Sequence, residues 1–150
     1  MTGLYNRKIL KHTKNYGSII LCDIDYFKKI NDGYGHVVGD RVLVEISRIL
    51  KNNVDKNQIV CRWGGEEFII LLKNKDQYEA YELANNIKNK LSELQNIFGF
   101  NVTMSFGISL IKEDDMVDSI IKADIAMYQS KKEGRNKVSI YSLKYWLFII

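Results

Sequence analysis

The spacing of apolar residues changes several times along the chain, and each change marks an element. Ser18-Ile19-Ile20-Leu21-Cys22-Asp23-Ile24 is a nearly continuous apolar run, the mark of a central strand covered on both faces. Ahead of it, Thr2-Gly3-Leu4-Tyr5-Asn6-Arg7 reads as a turn into a short helix, Lys8 to about His12, and Gly17 closes the lead-in. Behind it, Tyr26 to about Asp32 reads as a short helix stopped by Gly33 and Gly35. Val42, Ile46, Ile49 and Leu50 fall on one face of a helix that follows Gly39 and ends at Asn52-Asn53. Gln58 to Trp63 and Phe68 to Leu72 are strand-forming runs split by Gly64-Gly65. They predict a β-hairpin whose glycines enter the positive-φ turn region. Asp76 and Glu79 have the spacing of a capping box. The helix they open carries Ala80, Ala84, Ile87, Leu91 and Leu94 on one stripe. Asn101 to Ile111 alternates, with Val102, Met104, Phe106, Ile108 and Leu110 on one side and Thr103, Ser105, Gly107 and Ser109 on the other. That predicts a strand with one face on the core. A last long helix runs from about Asp115 to Lys132, stopped by Gly134, and Val138 to Tyr141 is a closing strand.

The order is β-α-α-β-β-α-β-α-β, from which a βαββαβ core can be picked out. The expected fold is α+β: a ferredoxin-like, palm-type central sheet, helices packed on one sheet face, and a β-hairpin carrying the Gly-Gly-Glu-Glu-Phe turn. The chain has no proline, no Ser/Gly-rich linker and no internal repeat. It is read as one domain over residues 1–150, with 142–150 an apolar tail of unassigned role. The tail run Tyr145 to Ile150 is far short of the roughly 20 residues a membrane span needs. Lysines and arginines are scattered, without the dense block that marks a nucleic-acid arm, so no nucleic-acid polymer is expected as partner. The net charge of +4 suits an anionic ligand without demanding one. Cys22 and Cys61 each sit in an apolar run and read as buried free thiols of a reducing compartment, and no signal peptide precedes the first element, so the expected location is the cytoplasm.

The polar residues that break this pattern carry the chemistry. Glu66 and Glu67 are adjacent carboxylates at a hairpin tip, where they repel each other. A solvated acidic turn is one reading, and a divalent cation between them is the other. Asp23 and Asp25 lie two apart in an extended segment, so both side chains project to one face where a buried strand gives way to a helix. Each has a plainer reading as a helix N-cap. The N–H groups of Tyr26, Phe27 and Lys28 in that first turn suit a phosphate. Mg²⁺ prefers one or two protein carboxylates, completed by water and phosphate oxygens. Asp23 and Glu66 would supply them if their strands are neighbours. Lys131 and Arg135 close the last helix, where they either offset its dipole or clamp a triphosphate. Asp124 and Tyr128 share the stripe of Lys131, and Asp124 is assigned no catalytic role, since an aspartate on an inward stripe usually has a structural partner. His36 reads as a structural hydrogen-bonding residue.

Several of these segments recur together in one known family. Thr2 to Arg7, Asp23-Ile24-Asp25-Tyr26-Phe27-Lys28-Lys29-Ile30-Asn31-Asp32, Gly35-His36, Gly39-Asp40, Arg62 to Phe68, and Ala123-Asp124-Ile125-Ala126-Met127-Tyr128 with Lys131 and Gly134-Arg135-Asn136 resemble the GGDEF family of diguanylate cyclases in order and spacing, from Thr2 to about Tyr141. Each motif is weak alone, and their co-occurrence is specific. The resemblance implies condensation of two GTP into cyclic di-GMP with loss of two pyrophosphates. It implies two Mg²⁺ or Mn²⁺ per active site, held by Asp23, Glu66 and the Ile24 carbonyl. Glu67 would activate the 3′-hydroxyl or hold the second metal. Lys28 would neutralise the reacting phosphates, with Tyr26 and Phe27 at the nucleotide. Lys131 and Arg135 would hold the outer phosphates. Asn31 and Asp40 would read guanine, whose N1–H and N2–H₂ donors suit a carboxylate. The plainer reading of Asp40 is an acidic residue at a helix start.

Three departures from the family pattern bear on regulation. Asp55-Lys56-Asn57-Gln58 stands where many members carry an inhibitory Arg-x-x-Asp, so product inhibition there is not expected. The chain opens inside the family's first motif, without a sensor or dimerisation segment. Each protomer of the family holds one GTP, so a homodimer is required, and here a weak one whose activity rises steeply with concentration. The apolar tail has no family counterpart. Two other readings stay open: a non-catalytic GTP-binding signalling module, against which the intact acids argue, and a related palm-type cyclase making another cyclic dinucleotide.

Overall fold

The computed structural model describes residues 2–12, 16–112 and 115–143. Residues 144–150 of the apolar tail therefore lie outside the described residues. A 3₁₀ helix, Arg7–His12, precedes strand β1, Tyr16–Ile24. Helices α1, Phe27–Tyr34, and α2, His36–Asn52, lead to the hairpin β2, Ile59–Arg62, and β3, Glu67–Lys73. Helix α3, Gln77–Lys90, a 3₁₀ turn, Leu91–Glu93, and α4, Leu94–Phe98, follow. Then come β4, Met104–Leu110, α5, Met116–Lys132, and β5, Val138–Ile140. The sheet order is β2-β3-β1-β4-β5. β1 pairs antiparallel with both β3 and β4, and β5 joins β4 in parallel.

The apolar run of β1 is explained by its central position. Ile20, Cys22 and Ile24 pack into a core with Val42, Ile46 and Leu50 of α2 and Ala80, Ala84 and Ile87 of α3. Ile19 and Leu21 point the other way, into a second core with Ile69, Leu71, Ala123 and Met127. Helices thus cover both faces of the sheet, and the α+β sheet with flanking helices stands, but the expected one-sided placement does not. The one-faced reading of β4 fails for the same reason. Its Ser105-Gly107-Ser109 side is buried, because α5 lies on it. A methyl built on Gly107 would stand 2.0 Å from the Ala123 carbonyl oxygen and 2.2 Å from the Met127 nitrogen. Small residues there admit a helix backbone rather than water. Ser130 of α5 is buried and donates to the Phe106 carbonyl at 2.8 Å, with its hydroxyl 2.7 Å from that of Ser139.

Local signals explain most boundaries. Asp76 accepts from the N–H groups of Tyr78 and Glu79, and the Glu79 carboxylate accepts from the Asp76 N–H, so the capping box forms as spaced. Gly134, at φ 110°, ends α5. Helix α2 begins at His36, not after Gly39, because Gly35 at φ 88° makes the break between α1 and α2. Asp40 therefore lies in the second turn of α2, and the helix-start reading of that residue is wrong. Neither Gly64 nor Gly65 takes a positive φ, against expectation. Gly64 is instead crowded, with the Glu67 Oε2 atom 2.9 Å from where its methyl would stand.

Candidate active site

Acids from two strands meet at the end of β1. Asp23 stands opposite Glu67 of β3 and opposite Ser105 of β4 in the strand register. The Ile24 N–H donates to the Glu66 carbonyl at 3.2 Å, which locks the hairpin tip to this strand end. Asp23 is nearly buried, at 8% exposure. Burial pushes its carboxyl from the ordinary 3.8 up to about 6, against the attraction of Lys131, and Glu66 and Glu67 add to the rise. The Lys131 ammonium lies 3.2 Å from Asp23 Oδ1. A cleft of about 480 Å³ opens beside them, lined by Glu67, Asp124, Tyr128, Lys131 and Lys132.

Asp25 is no N-cap. Thr103 Oγ1 donates to it at 2.7 Å, Ser105 Oγ at 2.6 Å and the Asn136 N–H at 3.0 Å. It ties β4 and the turn after α5 to the end of β1. The N-cap of α1 is Tyr26, in the left-handed conformation at φ 55°, with no side chain capping the helix. The phosphate-ready N–H groups of this first turn are thus left uncovered by any side-chain cap.

The other predicted positions divide. Arg135, at φ 64°, stacks its guanidinium 4.5 Å over the Tyr26 ring, so these two residues meet. Asn31 packs its amide against Gly39, whose methyl, if present, would stand 1.9 Å from Asn31 Oδ1 and 3.4 Å from Phe27 Cζ. Asp40, one residue on, is exposed and borders a shallow groove of about 390 Å³ with Val37, Arg41 and Val44. Lys28 is not brought to the acids. It is 91% exposed and pairs with Asp32 at 3.4 Å, one helical turn away. His36 is exposed, with no side-chain hydrogen bond among the described residues. Asp124 has no ion pair among the described residues and faces the cleft, against the structural partner expected of it.

Two features were not foreseen. The donors to Asp25 lie far from it in sequence, and only Asn136, at φ 47°, carries a local signal, since asparagine tolerates that region best. The second is an arginine pair at the hairpin. Arg62 donates to the Gly64 and Gly65 carbonyls, at 3.2 Å through Nε to each and 2.7 Å through Nη2 to Gly65. Arg7 donates to the Trp63 carbonyl and lies 4.6 Å over the Trp63 ring.

The donor set fits a hard divalent cation: carboxylates of Asp23, Glu66 and Glu67 gathered from adjacent strands, with room for water and phosphate oxygens. Among the described residues no three His, Cys, Asp or Glu side chains already converge in ligating geometry.

A five-stranded α+β sheet with flanking helices, carboxylates at adjoining strand ends and a basic helix terminus beside them is a palm-type fold. The chain belongs to the diguanylate cyclase GGDEF domain family, whose pattern it matches over residues 1–137. It is 39% identical to diguanylate cyclase A of Treponema denticola over 145 residues, covering 93% of this chain and 39% of that protein. It is 37% identical to diguanylate cyclase DgcM of Escherichia coli over 151 residues, covering 92% of this chain and 37% of that one. The chain thus spans under two fifths of the length of these relatives. Among solved structures, the active GGEEF domain of a diguanylate cyclase from Vibrio cholerae superposes with a TM-score of 0.81 at 33% identity, over 93% of this chain and 98% of that one.

Proposed function

We propose that this domain is a diguanylate cyclase, condensing two GTP into cyclic di-GMP with release of two pyrophosphates. The observation that carries this reading is the register of Asp23 against Glu67, beside a cleft closed by Lys131. Asp23, Glu66 and the Ile24 carbonyl would hold Mg²⁺ or Mn²⁺, two ions per site. Such ions neutralise charge on the reacting phosphates. Glu67, at the mouth of the cleft, takes the 3′-hydroxyl proton or completes the second metal's ligands. The hydroxyl oxygen forms the new bond to the α-phosphorus as the bond to pyrophosphate breaks, and a second such displacement closes the ring. Lys131 passes from Asp23 to the outer phosphates. Arg135 leaves the Tyr26 ring to join it, and Lys28 swings from Asp32 to the reacting phosphates. Asn31 and Asp40 read guanine.

One chain presents one such site, so two GTP-loaded protomers must face each other. Both cysteines are free and buried, and no described helix is long and apolar enough to cross a membrane. We place the domain in the cytoplasm, where GTP is made and thiols stay reduced. Incubation with GTP, ATP and Mg²⁺ over a protein concentration series, with chromatography of the products, tests the reading. Cyclic di-GMP formed at a specific rate that climbs with concentration is expected. No product from GTP at any concentration refutes it, and an adenine-containing product refutes the guanine assignment.

A further inference from the structure

The backbone hydrogen bonds within the turn that carries Glu66 and Glu67 close it onto the Glu67 carbonyl and leave the Trp63, Gly64 and Gly65 carbonyls to side chains. Its glycines avoid the left-handed region, and its backbone hydrogen bonds run from the Trp63 and Gly64 N–H groups to the Glu67 carbonyl. Among the described residues the carbonyls of Trp63, Gly64 and Gly65 have arginines as their protein partners: Arg7 for the first, Arg62 for the other two. We propose that Arg7 and Arg62 are positioning residues, which by holding these three successive carbonyls set the placement of Glu66 and Glu67 against Asp23.

A surface arginine ordinarily contributes little. Here the guanidinium is used as a fork, with several rigid donors that a lysine cannot reproduce. The other restraints on the tip, the Ile24 N–H on the Glu66 carbonyl and the Trp63 and Gly64 N–H groups on the Glu67 carbonyl, fix its base and leave the carbonyls at its apex to the arginines. The arginines also bring positive charge beside two carboxylates that repel each other. Arg7 Nη2 is 3.9 Å, and Glu67 Oε2 2.9 Å, from the same point above Gly64. Arg7 is itself anchored through the lead-in segment. Tyr5 bridges to Cys61 and its carbonyl accepts from the Arg62 N–H at 3.0 Å. A shift of the lead-in segment therefore moves Arg7 and frees the Trp63 carbonyl, which couples residues 2–7 to the acids.

The inference rests on the proposed cyclase reading, and its test separates the two. Arg62→Ala, Arg62→Lys and Arg7→Ala would be compared with the parent by GTP kinetics, Mn²⁺ binding followed by electron paramagnetic resonance without nucleotide, and hydrogen–deuterium exchange at residues 63–67. Misplacing a catalytic group by a fraction of an ångström costs about tenfold or more. Arg62→Ala is expected to lose at least about tenfold in kcat with KM for GTP within about twofold. Mn²⁺ binding should weaken, tip amides should exchange faster, and Arg62→Lys should recover part of each loss. Arg62→Ala with parental kcat, Mn²⁺ binding and tip exchange overturns the proposal. If Arg62→Ala does not fold, parental values in both Arg62→Lys and Arg7→Ala overturn it. A parent without cyclase activity defeats the cyclase reading alone, and tip exchange and Mn²⁺ binding still decide the brace.

Discussion

Replacing Asp23 by asparagine should make the ligand-free domain more stable, not less. The carboxyl is raised from 3.8 to about 6 by burial, with Glu66 and Glu67 adding to the rise and Lys131 already opposing it. For an acid raised on folding, the contribution to stability is fully present below the unfolded value and is lost as pH rises through the folded one. Above pH 6 the ionised group therefore works against the fold. A rise from 3.8 to about 6, at about 1.4 kcal/mol per unit, sets an upper size near 3 kcal/mol. Allowing for the 12% exposure of the side chain, a gain of about 2 kcal/mol for Asp23→Asn at pH 7.5 is expected. At this chain length that is about 4–8 °C in Tm. The measurement is urea unfolding of both proteins with a chelator present, from pH 3.5 to 8. The difference should be near zero at pH 3.5, grow between about pH 4 and 6, and level off above. A variant less stable than the parent at pH 7.5, or a difference independent of pH, would refute the reasoning: the Lys131 pair would then outweigh burial. The expected result is that of a group kept in a place unfavourable to stability, as the proposed metal-holding role of Asp23 would require.

Asp25→Ala should do the opposite. It strips three donors of a buried charged acceptor, and a loss of about 3–5 kcal/mol is expected in the same urea assay. Gly107→Ala drives a methyl into the α5 backbone. It should cost about 3 kcal/mol or more by thermal unfolding, since backbone cannot step aside as a side chain can. Gly39→Ala meets side chain first, the Asn31 amide and the edge of Phe27, and not the backbone of a neighbouring element as at Gly107. Tm should hold to within a few degrees, helped by helix propensity, while GTP binding by calorimetry weakens about fivefold or more as the Asn31 amide is displaced. Glu67→Gln should keep GTP binding and lose turnover by about a hundredfold or more in the product assay, and parental turnover would remove Glu67 from the chemistry.

What could be read from the amino-acid pattern followed the range of the interaction. The apolar run of β1, the capping box at Asp76 and the stop at Gly134 are set by neighbours within a few residues, and all three form as spaced. The meeting of the Asp23 strand with the Glu66 hairpin stayed conditional on the two strands being neighbours, and the sheet order, with β3 beside β1, makes them so. What stayed hidden needed partners far off in the chain. Asp25 looked like an N-cap because its donors, Thr103, Ser105 and Asn136, are 78, 80 and 111 residues away. The Ser-Gly-Ser side of β4 looked solvent-facing because small residues that admit a helix alternate like polar residues that meet water. Gly39 looked like a helix breaker, when its missing side chain is space filled by Asn31.

Helix α5 is fastened to the sheet along its length, by the Gly107 approach and by Ser130 bridging Phe106 and Ser139. Its end, with Lys131, is thus a fixed jamb that cannot slide a turn along the sheet. Gripping and letting go of a bound phosphate would then fall to the parts that swing cheaply, the long cationic side chains of Lys131 and Arg135. In the proposed cyclase, product exit would be paced by side-chain rotation and by separation of the two protomers, not by rearrangement of the frame.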